Sequence, residues 1–399
     1  MSRPPNIPDD LYEYYRYEFQ AGTVTIGSPC GVNCFFCSEK WNPPGLIKSI
    51  ERYLTFEEVC HFAEAYLPKA LWIGDWNRRI ASGEFFCHPR SADILHYLAS
   101  TQKLFDGTLI TTNGMDLTTD HLQIIKQVGA VVCLSLPAYD TDVRQRIMGG
   151  PTEKHETAVC AASELDSLGI PYGVGIVPTR DALDGGDMQR LVEHLTAARP
   201  QDITVYRPGY TKYTPPQFSE RLSITHDELF RFVARMQAEH GVNIHYAFPA
   251  GESMRGELAF MFSQWPPHFG GKTKLFLCSQ PVKDALKSCL RDIEMRDYHV
   301  RAVTSGLFGG NIDCAGLLTI DDYIRAIDEF LAGHAKPELL VMPWASFPID
   351  RQDVSGNSVH AIREKYGVKV ALCKPEWLTR NHNVLNRYRH ESRDPLPIQ

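Results

Sequence analysis

The sequence predicts an α/β fold: a partial (β/α)6 TIM-like barrel followed by a smaller C-terminal α/β domain. Three observations predict it. Short β-branched runs alternate with amphipathic helical stretches from residue 23 to about residue 250, a rhythm that means parallel strands joined by crossover helices. The rhythm breaks between residues 251 and 271, at a Trp-Pro-Pro-His and Gly-Gly text, and resumes with a different spacing. A cysteine cluster follows the first run directly, at the strand end where barrels carry their chemistry. The predicted organisation is an arm over 1–22, the barrel over 23–250, a crossing segment over 251–271, a second domain over 272–380 and a polar tail over 381–399.

The elements follow in order. The arm holds one short aromatic helix, Leu11 to Phe19. Thr23 to Gly27 is β-branched and ends in glycine, a first strand. Thr55 and Glu58 form a capping box before apolar residues at helical spacing. Ala70 to Gly74 is a second strand, and a helix runs from about Ala92 to Ser100. Thr108 to Gly114 gives a third strand and turn, and the next helix stops at Gly129. Ala130 to Leu136 is the fourth strand, followed by helical stretches over Asp140–Met148 and Glu153–Leu168. Tyr172 to Val177 is the fifth strand, Met188–Ala198 a helix, and Asp202 to Tyr206 the sixth strand. Thr225 and Glu228 form a second capping box, and Asn243 to Tyr246 is a candidate seventh strand. Beyond residue 272, strands are predicted at Tyr298–Thr304, Leu339–Pro343 and Val368–Leu372, with a helix over Asp321–Leu331.

Composition excludes several classes. The chain has 399 residues, 43% of them hydrophobic, enough for a sizeable core. A net charge of -7 argues against general nucleic-acid binding or attachment to anionic membranes. No apolar run reaches the roughly eighteen residues of a membrane span, and the polar, acidic N-terminus has no secretory apolar core. Eleven cysteines, odd in number and unevenly spaced, read as thiols of a reducing compartment, so the expected location is cytoplasmic.

The chemistry is expected at Cys30, Cys34 and Cys37, spaced C-x3-C-x2-C. Three thiolates on one loop fall one ligand short of a cubic iron–sulfur cluster and of a closed zinc site. The alternatives are thiols at chance spacing, a zinc knuckle with its fourth ligand elsewhere, and a zinc hydrolase drawing on His88 or His96. Cys60 and Cys87 are available but complete no second C-x2-C pair. With Phe36 as the aromatic before the last cysteine, the loop resembles the cluster loop of the radical S-adenosylmethionine (radical SAM) superfamily. The resemblance implies a [4Fe-4S] cluster held by the three cysteines, with SAM chelating the fourth iron through its amino and carboxylate groups. It further implies reductive cleavage of SAM to a 5′-deoxyadenosyl radical that abstracts hydrogen from a substrate.

Other positions extend the resemblance. Ser82-Gly83-Glu84 is similar to the family's Gly-Gly-Glu segment, which implies that Gly83 and Glu84 face the SAM ammonium; Asp75 is a rival carboxylate. By the same resemblance Thr112, Asn113 and Ser135, at strand ends, contact the ribose or the SAM carboxylate, Gly175 and Val177 lie against the adenine, and Arg146 or Arg144 neutralises the carboxylate. Each position also has a plain structural account, as a polar turn, a strand bulge or a solvated helix face. Tyr206, Arg207, Tyr210 and Tyr213 are expected near the barrel mouth or in ordinary loop packing. In the second domain, Val303 to Thr319 and Asp353 to Gly356 resemble a C-terminal domain-of-unknown-function family, number 512. There the glycines suit a strand–turn–strand, with or without a ligand.

The leading expectation is therefore a radical SAM enzyme. The resemblance implies a reduced flavodoxin- or ferredoxin-type electron donor and a substrate that is either a peptide or a small metabolite. One alternative is a non-catalytic iron–sulfur or metal-binding scaffold. Another is a cobalamin-dependent radical SAM methyltransferase, ranked lower because no Asp-x-His-x-x-Gly text is present.

Overall fold

The alternating runs fold into one parallel sheet. The computed structural model describes residue 4 and residues 6–74, 80–247, 272–347 and 351–373. The chain divides into two compact units, Met1–Phe248 and Pro249–Gln399. The crossing segment over 251–271 and the tail over 381–399 lie outside the described residues, as does Asp75.

The strands of the first unit are β1 (Thr23–Val24), β2 (Trp72–Ile73), β3 (Leu109–Thr112), β4 (Val131–Ser135), β5 (Tyr172–Ile176), β6 (Ile203–Val205) and β7 (Ile244–Tyr246). They pair in sequence order, every neighbour parallel. Sequential parallel order is the wall of a β/α barrel, and among the described residues no pairing closes β7 onto β1. The fold is thus the partial barrel expected, and the candidate seventh strand forms. The first two strands are shorter than predicted. Gly27 and Gly74 both turn at φ +100°, a conformation that leaves the strand and suits glycine alone. Gly27 bridges to Tyr53 instead, and a side chain at Gly74 would meet the Thr111 carbonyl at 2.7 Å.

Helices pack on the outside. The arm's helix α1 (Asp9–Gln20) lays Tyr12, Tyr15 and Phe19 around Phe62 of α2 (Phe56–Tyr66), with ring centroids 5.0–5.6 Å apart. Burial of such rings stabilises by about 1.5–3 kcal/mol each, which makes the arm part of the core. Both predicted capping boxes form, Thr55 with Glu58 and Thr225 with Glu228. Then come α3 (Ser91–Ser100), α4 (Thr119–Val128), α5 (Thr141–Met148), α6 (Thr152–Leu168), α7 (Arg180–Asp184), α8 (Asp187–Ala198), α9 (Pro216–Leu222) and α10 (His226–His240).

The second unit has a four-stranded parallel sheet in the order β11-β10-β8-β9. Its strands are β8 (Lys274–Ser279), β9 (Tyr298–Val303), β10 (Leu339–Pro343) and β11 (Lys369–Cys373), with helices α11 (Lys283–Asp292), α12 (Ile320–Leu331) and α13 (His360–Tyr366). The sequence prediction omitted β8, α11 and α13. β8 is buried at all six positions, so it lacks the two-residue alternation that marks a half-buried strand. The glycine-rich text from Val303 to Thr319 is not a strand–turn–strand. It leaves β9, makes a 3-10 turn at Ala315–Leu317, and ends at Thr319, the N-cap of α12. The Asp353 to Gly356 text meets it there: the buried Asp353 carboxylate accepts from the Ile320, Ser355 and Asn357 amides. No helix among the described residues is long and apolar enough to cross a membrane.

Candidate functional site

The cysteine loop leaves β1 and is held by backbone bonds from α5. The last carbonyls of a helix have no partner within it. Here the Met148 carbonyl accepts from the Asn33 amide at 2.7 Å, and Ile147 from Phe35 at 3.2 Å. Phe35 is buried and stacks on Phe218 at 5.1 Å, with the Arg221 guanidinium on its ring. Phe36, the aromatic of the motif, packs edge-on against Phe35 and is half-buried. The loop is therefore anchored through its non-cysteine residues, while Cys30 is exposed and Cys34 and Cys37 are half-buried.

The three thiols lie within reach of one another's charge. Burial pushes Cys34 up to about 12, and the charges of Cys37 and Cys30 add to the rise. Among the described residues no three His, Cys, Asp or Glu side chains are arranged to hold a metal ion. The donor set nonetheless fits a cationic, thiolate-bound group. Ionising three adjacent thiols repels unless positive charge is placed among them, and thiolate is the ligand that iron–sulfur clusters take.

Arg144 supports the same fit. It is fully buried on α5, its Nη1 reaches the Ala138 carbonyl at 3.4 Å, and its Nε and Nη2 have no hydrogen-bond partner. Burial lowers its pKa to about 10, and the charges of Cys34 and Asp187 act against that fall. Asp187 is already engaged by the Tyr139 and Asp140 amides and by Arg190. A buried cation this poorly matched costs several kcal/mol, and ionised cysteines at the loop would offset it. Arg144→Met is expected to stabilise the iron-free protein by ~1–3 kcal/mol in urea melts and to weaken iron retention after reconstitution. A drop in iron-free stability would refute that account. Arg146, the arginine named for the SAM carboxylate, is exposed on α5. Of the two arginines, Arg144 is buried and Arg146 is not.

The end of β2 and the end of β3 converge beside the loop. The Gly83 amide donates to Gly27 at 2.7 Å, and a Cβ there would stand 1.8 Å from the Pro29 carbonyl, one residue before Cys30. Glu84 accepts from the Thr112 hydroxyl at 2.8 Å, the Asn113 amide at 2.8 Å and the Phe86 amide at 3.4 Å. Four residues named from the sequence, Gly83, Glu84, Thr112 and Asn113, therefore form one cluster. Burial raises the Glu84 carboxyl to about 7; the Asn113 and Thr112 bonds oppose the rise, and Cys30 adds to it. Its two oxygens offer about four acceptor sites, and three are used.

Further along the wall, Ser135 and Gly175 are partners in register. Both are half-buried, and a Cβ at Gly175 would stand 3.4 Å from the Tyr206 ring. Val177, half-buried, follows the end of β5. Tyr206 and Tyr213 are exposed, and Arg207 bonds His226, whose other ring nitrogen meets the Tyr246 hydroxyl at 2.6 Å. His88 is buried with its Nε2 on the Leu54 carbonyl at 2.8 Å, and His96 lies 3.4 Å from Asp120. Neither histidine turns to the cysteine loop.

Sequence reasoning weighed Cys87 only as a spare zinc ligand and missed the group it forms beside Cys30. Cys87 Sγ accepts from the Gly31 amide at 3.2 Å and donates to Asp116 Oδ2 at 3.2 Å. Asp116 is fixed in turn by Lys154 at 2.6 Å. The Cys87 thiol is also the largest cause that holds Cys30 below the usual thiol range. The available signal was the closeness of Cys87 to Glu84, three residues away: the 3-10 turn Phe85–Cys87 carries it back to the loop.

No protein-family model matches the chain, and no curated protein matches it. Among solved structures it is similar to Streptococcus suis SuiB bound to S-adenosylmethionine, at 14% identity and a TM-score of 0.41, over 63% of this chain and 59% of that one. It is also similar to a radical SAM methyltransferase from Sphaerobacter thermophilus, at 16% identity and a TM-score of 0.38, over 57% of this chain and 67% of that one.

Proposed function

We propose that this protein is a radical SAM enzyme whose Cys30, Cys34 and Cys37 hold a [4Fe-4S] cluster and whose Glu84 binds the ammonium of S-adenosylmethionine. The observation that carries the reading is the convergence of the cysteine loop, Gly83–Glu84 and Thr112–Asn113 at the ends of three adjacent parallel strands. When bound, the cluster supplies the electron that cleaves SAM and starts hydrogen abstraction from an organic substrate. The chain's own residues bind and orient. Thr112 and Asn113 fix both oxygens of Glu84, so the remaining lone pair has one direction in which to accept a proton donor. A carboxylate is the acceptor that an ammonium needs, and its charged hydrogen bond is stronger than a neutral one. Ser135, Gly175 and Val177, on β4 and at the end of β5, are proposed to face the nucleoside, where the missing side chain of Gly175 leaves room beside Tyr206.

The test is anaerobic reconstitution with iron and sulfide, followed by equilibrium dialysis against SAM and assay of 5′-deoxyadenosine after reduction. The wild type is expected to retain iron, bind SAM and form 5′-deoxyadenosine. Glu84→Ala is expected to retain iron and bind SAM at least about tenfold more weakly, the loss of one charged hydrogen bond. Iron-loaded protein that binds no SAM would return the chain to a non-catalytic scaffold, and a Glu84→Ala variant with unchanged affinity would remove Glu84 from the SAM site.

A further inference from the structure

The cysteine loop carries a fourth sulfur that its motif does not contain. Cys87 arrives from the 3-10 turn after Glu84, and its Sγ meets the loop backbone at Gly31 N, 3.2 Å away. The approach is close enough that a Cβ at Gly31 would stand 3.0 Å from that sulfur. The Gly31 amide directly follows Cys30 in the chain. The Cys87 proton has its acceptor in Asp116, which Lys154 holds in place. Cys30 is exposed to solvent and Cys87 is half-buried behind it. An accessible thiol backed by a second thiol, with a carboxylate to take the second proton, is the arrangement of an attacking and a resolving cysteine.

We propose that, in the iron-free protein, Cys30 and Cys87 form a reversible disulfide that removes Cys30 from the ligand set and blocks loading of the loop until it is reduced. With a small disulfide such as oxidised glutathione as oxidant, the step balances. The Cys30 thiolate attacks one glutathione sulfur, forming a mixed disulfide and releasing one glutathione thiolate. Cys87 gives its proton to Asp116 and attacks Cys30 Sγ, displacing the second glutathione thiolate. Two protein thiols are oxidised, one glutathione disulfide is reduced to two thiols, and the two protons end on them. A dithiol reductant reverses the sequence. The pairing does not depend on SAM chemistry, because it needs only the two sulfurs and the oxidant.

The experiment uses the full chain, stripped of metal by a chelator under anaerobic conditions and treated with oxidised glutathione. Remaining thiols are then alkylated, and the peptides are mapped by mass spectrometry. The expected result is a Cys30–Cys87 cross-linked peptide, released by dithiothreitol, together with loss of iron uptake that dithiothreitol restores. Cys87→Ser is expected to stop at a glutathione adduct on Cys30, and Cys30→Ser to leave Cys87 open to alkylation. Circular dichroism of both variants separates these outcomes from misfolding. A wild-type protein in which Cys30 pairs with Cys34 or Cys37, or in which Cys87 stays alkylatable while Cys30 carries glutathione, overturns the proposal. Cross-linking without any SAM binding in the loaded protein would sink the radical SAM reading and leave this one standing.

Discussion

Gly83→Ala is expected to destabilise the first unit by on the order of 4 kcal/mol and to impair iron retention. The added Cβ would stand 1.8 Å from the Pro29 carbonyl and 3.0 Å from that of Ser28. Both obstacles are backbone, so no rotamer change relieves them. One of two segments must move: the Ser82–Glu84 stretch, which would break the Gly83 amide bond to Gly27, or the Ser28–Pro29 stretch, which carries Cys30. Either movement separates the cysteine loop from Glu84. A loss above 4 kcal/mol is rare for a single substitution and is diagnostic of such overpacking. Urea denaturation of the iron-free protein measures the first effect, and iron per chain after reconstitution the second. A Gly83→Ala protein of wild-type stability would mean that the two backbones do not approach in solution as they do here. Gly31→Ala is the milder comparison, because its obstacle is the Cys87 side chain rather than backbone.

Replacing Cys30, Cys34 and Cys37 together by alanine is expected to reduce retained iron to background and to abolish 5′-deoxyadenosine formation, with little change in iron-free stability. None of the three belongs to the buried core; the loop is anchored by Phe35 against Phe218 and by the α5 carbonyls, which the substitutions leave in place. Removing a thiol from a half-buried site costs less than opening a cavity in the core. In the wild type, bound iron adds stability by mass action, so its melting temperature should rise on reconstitution while that of the triple variant stays fixed. Iron analysis and paired thermal melts read both effects. Iron retained by the triple variant would assign the binding to other cysteines.

Much of this arrangement could be read along the chain because it is written in contiguous text. The cysteine spacing, the β-branched runs and the two threonine–glutamate boxes are local patterns, and each fixes its geometry within a few residues. The meeting of Glu84 with Thr112 and Asn113 followed from a topological rule, since loops at the same ends of adjacent parallel strands are neighbours. What stayed hidden depends on packing. Cys87 and Asp116 reach Cys30 from 57 and 86 residues away, and neither carries a motif. Arg144 and Arg146 are two residues apart, so their side chains lie on nearly opposite sides of one helix. Only the neighbours of α5 decide which is buried. In the second unit, β8 was invisible because burial on both faces erases alternation. The glycine-rich text misled because its glycines serve a turn into a capped helix rather than a turn between strands.

The backbone bonds from Met148 and Ile147 have a thermodynamic consequence for loading. Fixing a residue's backbone costs roughly 1–2 kcal/mol in conformational entropy. A metal loop that orders only on binding draws that cost from the affinity of the metal. Here Asn33 and Phe35, which flank Cys34, are tied to α5 before any ligand arrives. The folding of the barrel has already ordered them, so the free energy of metal capture is left for the thiolate bonds themselves.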